Sequence, residues 1–415
     1  MQRLGYLKYL VHLAFSRETS DFETLGKELT RAVTCHVTVP MSPEVVEYIR
    51  KRLTDSAYDQ LKKKLARNAS EQPSSISLEV QDVYLAFPIL PSQTGKLVLA
   101  DWRRYTLLGT QLGFLRQGTY SALVRGVSLL RLCSEPELKA FTAYNPEQNP
   151  FVISTPQALL LLYSLIENDG DTIRLLYRHL LARESEAFSD REAGDYLPDV
   201  YREIERAERR RNLPIEEREK LGKLLRMADN IEKWRGRSYT GSGALIEAIT
   251  ARLEPYVDLG LLRKPDPVHY EYAFTDRGRA FFSNLVNSQD IADFLQNRFF
   301  SVSAPLFRKQ ARHRKHPPSI AKALYKSWTE LKSGLGYAPI TELCLFAVSK
   351  SVSETGIYFE VAESFAALRS YQKEHPDCVR FTVNRMGKLA HVKFLKEPSD
   401  ARSKGAGHEG SRDNH

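Results

Sequence analysis

Lysine and arginine side chains neutralise phosphates, and between Arg308 and Lys332 they crowd together. Arg308, Lys309, Arg312, Arg314, Lys315, Lys322, Lys326 and Lys332 stand against one acid, Glu330. A segment this cationic repels itself unless a polyanion neutralises it, so its simplest chemistry is contact with a phosphate backbone, weakening steeply with salt. The bland alternative is a solvated linker leading into a helix whose aromatics, Tyr325 and Trp328, pack inward. An anionic membrane surface ranks below both, because the segment has no strong amphipathic pattern. The whole chain of 415 residues carries 60 Lys and Arg against 51 Asp and Glu, a net charge of +9, so a large part of the excess sits in this segment. From Glu184 to Glu205 the sign reverses, with only Arg191 and Arg202 as bases. Such polarity suggests one face for polyanions and another for a different partner.

Arg174 and His179, spaced as Arg-x4-His, resemble the short motif of a family of helical ribonucleases, in which His and Arg from two chains meet around a scissile phosphate; Arg308 and His313 share the spacing. Gln93-Thr94-Gly95-Lys96 resembles the end of a phosphate-binding loop, but Leu90 stands where a glycine is needed and Leu97 where a hydroxyl is needed. Glu137-Leu138-Lys139 and Glu330-Leu331-Lys332 match the nuclease Glu-x-Lys triplet, yet they fall in helical surroundings rather than on a strand. No nucleophile elbow, zinc-protease motif or Gly-rich dinucleotide loop occurs. Cys35, Cys133, Cys344 and Cys378 lie far apart and read as reduced, mostly buried thiols; His12 and His36 read as hydrogen-bonded core residues. The expectation is a protein that is not an enzyme, with no cofactor and no metal site.

The elements that would display the cations are helices followed by hairpins. In Ser242–Leu285, Leu245, Ile246, Ile249 and Leu253 form one helical face, Pro255–Gly260 leads to Leu261-Leu262, Pro265-Asp266-Pro267 turns, and His269–Phe274 reads as a strand before a helix capped at Thr275. Gly260-Leu-Leu-Arg, the aromatic strand and Thr275-Asp276-Arg277-Gly278-Arg279 resemble winged-helix domains of prokaryotic DNA-binding proteins, over about a tenth of the chain. That resemblance implies a helix for the major groove and a basic wing, here offering Arg263, Lys264, Arg277 and Arg279 to phosphates.

A second unit of the same kind lies near the C-terminus. Tyr337–Ser349 and Phe359–Glu374 read as helices, and Val379–Leu395 as a hairpin turning at Asn384-Arg385-Met386-Gly387, with Val379, Phe381, Val383, Leu389, Phe394 and either His391 or Val392 on its inner side. The second helix should point Phe365 and Leu368 inward and Ser364, Arg369, Gln372 and Lys373 outward, while the wing adds Arg380, Arg385, Lys388 and Lys393. Winged helices also serve protein contacts, and a basic surface is what favours nucleic acid. A third, weaker candidate, Asp101–Arg131, is a pair of helical segments about a turn at Gly109–Gly118; its Arg103, Arg104, Arg116 and Arg125 suit either nucleic acid or the surface of a helical core.

The remaining pattern gives a mainly α chain with small β-hairpins, an α+β multidomain protein. The expected divisions are an N-terminal helical domain over 1–75, including a helix over Val45–Leu65 and a linker over Asn68–Ser77; a helical domain over 76–200; a charged helical connector over 201–238; winged helices over 239–300 and 337–397 flanking a basic linker and helix over 301–336; and a disordered tail over 398–415. Pro156–Ile166 and Thr172–Ala182 read as helices broken at Asn168-Asp169-Gly170. No run reaches the roughly 18 to 20 apolar residues of a membrane span, and the first residues lack a signal-peptide pattern, so a cytoplasmic protein is expected. The expected function is non-catalytic binding of double-stranded DNA, beside a protein partner encoded nearby. The domain layout resembles DNA-sensing components of bacterial defence or plasmid-maintenance systems. The alternatives are an assembly subunit that docks proteins, using the acidic Glu184–Glu205 region, and a ribonuclease acting through Arg174 and His179.

Overall fold

Apolar residues recurring three and four apart along most of the chain make helices its main building material. The computed structural model describes residues 4–16, 24–25, 34–38, 75–79, 102–140, 152–183, 185–209, 243–265, 271–384, 387 and 389–398, with isolated helical positions between 219 and 229. The chain forms two compact units, Met1–Phe294 and Leu295–His415. The expected helix over Val45–Leu65, the Gln93–Lys96 loop and the tail beyond Pro398 lie outside the described residues. Among those described, no helix is long and apolar enough to cross a membrane.

The first unit opens with α1 (Leu4–Phe15), followed by an antiparallel pair, β1 (Thr34–Thr38) and β2 (Ser75–Glu79). Residues 75–77, expected in a linker, therefore belong to a strand; the alternating Ile76 and Leu78 override the serines around them. Next come α2 (Trp102–Gln111), α3 (Val124–Arg131) and α4 (Glu135–Ala140), with α1 packed on α2 and α3. The long α5 (Thr155–Leu181) buries nearly its whole first half, Leu159 to Ile166. The break expected at Asp169 is a kink inside one helix: Asp169 sits at φ −137°, ψ 26°. Its carboxylate is ion-paired with Arg252 at 2.7 Å, and the absent Cβ of Gly170 leaves room for the side chain of Ile291, so tertiary contacts hold the helix together across residues that favour a turn.

After α5 follow β3 (Ala187–Ser189), α6 (Asp190–Asp195), α7 (Leu197–Arg209), α8 (Gly243–Asp258), β4 (Leu262–Arg263), β5 (Glu271–Phe274) and α9 (Asp276–Val286). The sheet order is β3-β5-β4. α9 packs on α5, and Tyr177 of α5 stacks on Phe282 of α9 at 3.8 Å and meets Tyr256 of α8 edge-on at 5.6 Å. This corrects the domain divisions at 200 and 238. Tyr201 of the expected solvated connector is fully buried together with Leu197 and Val200 just before it, and β3 completes the sheet of the expected separate winged helix. Apolar residues on α7 that read as part of a charged run find their core in α5.

The second unit contains α11 (Phe299–Phe307), β6 (Arg312–His313), α12 (Pro317–Leu331), β7 (Ala338–Pro339), α13 (Ile340–Thr355), β8 (Ile357–Tyr358), α14 (Val361–Glu374), β9 (Val379–Val383) and β10 (Leu389–Phe394). The short α10 (Ile291–Asn297) holds the boundary between the units. One sheet has the order β7-β10-β9, and β6 runs parallel to β8. α12, α13 and α14 pack on one another around Ile320, Leu324, Leu343, Phe346 and Leu368. The division expected at 336 is thereby corrected, because α12 carries part of this core. In both units a helix leads into a short strand, further helices follow, and a hairpin closes the run with its second strand paired to that short strand.

Candidate nucleic-acid interface

α14 begins at a capping box in which Glu363 Oε2 accepts from the N–H of Glu360 at 2.8 Å. The buried Glu360 carboxylate also receives the N–H groups of Phe300 at 3.0 Å and Ser301 at 2.6 Å, so it caps α11 from a distance. Burial raises its pKa in spite of those donors. The inner face of α14 is Val361, Ser364, Ala367, Leu368 and Tyr371. Ser364, expected outside, is buried and donates to Glu360 O at 3.2 Å, while Phe365 is only half-buried. A serine that satisfies its own helix's carbonyl can enter a core that its polarity alone would deny it. Ala366, Arg369 and Lys373 point to solvent, and Gln372 is half-exposed.

The hairpin beside α14 settles which residues face inward. A register shift between Leu389 and His391 turns Val392 and Phe394 into the core and His391 outward, where Nδ1 lies 3.0 Å from Thr382 Oγ1. Val383, expected inside, is 61% exposed at the turn end of the hairpin, where it pairs with Leu389. Arg380 is exposed and stands directly opposite Lys393 across the strands. Lys393 is partly engaged, donating to Leu335 O at 3.0 Å and lying over the Tyr337 ring. Arg385 and Lys388 fall outside the described residues. The side chains of Arg369, Lys373 and Arg380 make no hydrogen bond or ion pair among the described residues.

The segment Arg308–Lys315 is no linker, which corrects that expectation. Arg308 Nη1 donates to Val352 O at 2.6 Å and to Ser353 O, capping the C-terminus of α13, so this cation serves the fold. Backbone bonds run from Arg312 N to Gly356 O at 2.7 Å and from Arg314 N to Tyr358 O at 2.8 Å. His313 stacks on Tyr358 at 5.1 Å, and its Nε2 is 2.8 Å from Glu363 Oε2. Lys309, Arg312 and Lys315 remain exposed. Arg314 is half-buried at one end of a groove of 660 Å³ between α12 and α13, where Lys350 bonds Glu330 at 2.5 Å. Tyr325 and Trp328 pack against Phe394, so the aromatics of the basic segment belong to the core.

In the first unit several of the described cations serve the fold. Lys264 is buried in an ion pair with Glu254, which also accepts from Tyr272 Oη at 2.7 Å, and it lies over the Tyr272 ring; its expected place on a wing is corrected. Arg263 and Arg277 are exposed, and Arg279 is exposed with its guanidinium over Phe274. Among the described residues of α8, from Ile249 onward, none is exposed: Arg252 pairs with Asp169, and Asp258 accepts from Leu4 N at 2.6 Å. Its described half therefore offers no open basic face. Arg125 is likewise internal, donating to Leu112 O at 3.2 Å and Glu167 at 2.5 Å, while Arg116 is exposed.

The two ribonuclease candidates have different partners within the chain. Arg174 bonds Ser288 O and Asp171, both at 3.2 Å, whereas His179 stacks on Tyr196 at 4.9 Å. The acidic dock is partly neutralised: Glu192 caps α6 with Ser189 and pairs with Arg183 at 2.7 Å, and Glu203 pairs with Arg178 at 2.5 Å.

One polar cluster escaped the sequence. Lys8, fully buried, donates to Glu137 at 3.0 Å, Val152 O at 2.6 Å and Gln157 at 3.1 Å, and Gln157 in turn reaches Cys133 Sγ at 3.4 Å. Burial pushes Glu137 up, but Lys8 and the Ser134 N–H outweigh it and hold the carboxyl below its ordinary value; burial pushes the Cys133 thiol up to about 12. The available signal was one lysine within the apolar run LGYLKYLVHLAF. Among the described residues no group of His, Cys, Asp or Glu could hold a metal ion, and Cys133, Cys344 and Cys378 are free thiols. No family model matches the chain, and no curated protein and no solved structure does so either.

Proposed function

We propose that the chain is a non-catalytic, cytoplasmic protein that binds double-stranded DNA through a winged helix in its second unit, with α14 as the helix presented to the major groove and β9–β10 as the wing. The order helix, strand, helices, hairpin, together with the sheet order β7-β10-β9, supports this assignment. The first unit repeats that order around β3-β5-β4 and acts as a winged-helix scaffold, since the polar groups on the described half of α8 are used internally. One observation carries the DNA reading: Arg369, Lys373 and Arg380 are exposed and make no ion pair among the described residues, and Arg380 faces a second cation, Lys393, across the hairpin. Like charges opposite one another weaken a strand pair, and an approaching phosphate removes that cost. Its place as the recognition subunit of a multi-component bacterial system, such as one for anti-phage defence, belongs to the same proposal.

The test is duplex binding by the purified chain across a salt series. The triple variant Arg369→Ala/Lys373→Ala/Arg380→Ala should lower affinity and flatten the log–log salt slope by about 0.9 per lost phosphate contact. An unchanged slope removes α14 and β9 from the interface. A second reading, a subunit that docks proteins, is favoured by the exposed apolar side chains Leu335 at 80% and Leu395 at 40%, which flank the same end of the antiparallel β7–β10 pair. It predicts no salt-dependent shift of duplex DNA.

A further inference from the structure

Resting on the DNA reading above, we infer that the strip Lys309–Lys315 is a second, preformed backbone contact, so that the second unit grips the duplex at both ends of α14. The strip is held rigidly. Arg308 is fastened to the end of α13, the Arg312 and Arg314 N–H groups bond Gly356 O and Tyr358 O, and His313 reaches Glu363 in the first turn of α14. These attachments fix the backbone while Lys309, Arg312 and Lys315 stay exposed, with no side-chain partner among the described residues. Because the segment is already ordered, binding a polyanion does not have to immobilise it, which is the usual loss when a basic tail binds. Glu363, the acid that His313 reaches, bonds that ring and the α14 cap rather than the strip's exposed lysines and arginine.

The strip sits at the N-terminal end of α14, whereas Lys373 and the start of β9 lie at its C-terminal end. A helix of 14 residues is about 21 Å long at 1.5 Å per residue. That distance corresponds to about six base pairs at 3.4 Å per step. A helix seated in the major groove would thus bring the strip to one backbone wall and Arg380 to the other.

The experiment uses the full chain and hairpin duplexes with stems from about 4 to about 16 base pairs, which bracket that span, comparing wild type, Lys309→Ala/Arg312→Ala/Lys315→Ala and the triple variant at Arg369, Lys373 and Arg380. Wild-type affinity should rise with duplex length until both ends are engaged. The strip variant should lose that rise, reduce the salt slope by roughly 2 to 3 on long duplexes, and lose one of two blocks protected from hydroxyl-radical cleavage. Arg312→Lys in place of Arg312→Ala should restore part of the slope, which a folding defect would not allow. Wild-type binding with an unaltered slope and footprint in the strip variant overturns the inference and leaves the DNA reading standing. Failure of wild type to bind any duplex overturns the DNA reading itself. Loss of affinity for anionic vesicles without loss for DNA would assign the strip to a membrane surface, against the inference.

Discussion

A guanidinium placed on the free carbonyls at a helix C-terminus satisfies acceptors that the helix cannot, and Arg308 does this for Val352 and Ser353. Arg308→Ala should therefore lower stability by about 1 kcal/mol in urea denaturation, while Arg380→Ala, at an exposed site, should leave the transition within about 0.5 kcal/mol and weaken DNA binding. At the buried cluster, removing Lys8 strands the Glu137 charge, and Lys8→Ala should cost about 3 to 5 kcal/mol. The pH dependence follows from the sign of the Glu137 shift. Its folded pKa lies below the ordinary 4.5, so the pair's stabilisation is present above that value and is lost as pH falls through the folded pKa. Glu137→Gln should flatten the acid side of the stability profile measured by thermal melts from pH 3 to 6 in about half-unit steps. Glu360 has the opposite sign, its raised pKa favouring the folded state at low pH.

At the scale of elements, the run Thr275-Asp276-Arg277-Gly278 shows local rules and tertiary need agreeing. Thr275 Oγ1 accepts from Gly278 N at 3.0 Å, starting α9, and donates to Gly260 O at 2.8 Å, tying the helix to the strand entrance. A Cβ on Gly278 would collide with the Leu261 carbonyl oxygen, so the glycine is required for close approach rather than for an unusual dihedral. Gly278→Ala should destabilise by at least about 2 to 3 kcal/mol and Thr275→Ala by about 1 kcal/mol, both read from chemical denaturation. An effect of Gly278→Ala below that of Thr275→Ala would contradict the close packing.

For the whole molecule, each unit holds its own buried apolar set, from Leu159, Tyr177 and Phe282 in the first to Leu324, Phe346 and Val392 in the second. A fragment spanning 295–397 should then unfold in a single cooperative urea transition, with far-UV dichroism of a helical protein, and retain duplex binding. A fragment without a cooperative transition would show that the second core depends on the first. Among the described residues, Lys309, Arg312, Lys315, Arg369, Lys373 and Arg380 are all exposed in the second unit, whereas in the first Lys264, Arg125 and Arg252 are consumed by internal carboxylates and Arg116 and Arg263 stay exposed.

The sequence by itself determined the helical class, the cap at Thr275, both helix-and-hairpin runs and the place of the positive charge, because propensity, periodicity and turn chemistry act over a few residues. It also pointed to Arg369, Lys373 and Arg380 through the outward spacing on a helix and a strand. The continuity of α5 through Asp169, the inward turn of Ser364 and Val392, and the buried Lys8 cluster were decided only by tertiary structure. So was the fate of each cation, since Arg308, Lys264 and Arg380 are alike as ionised side chains. What separates them is the neighbour that folding delivers from 10 to 45 residues away: two carbonyls for Arg308, a carboxylate for Lys264, and for Arg380 a second cation on the adjoining strand.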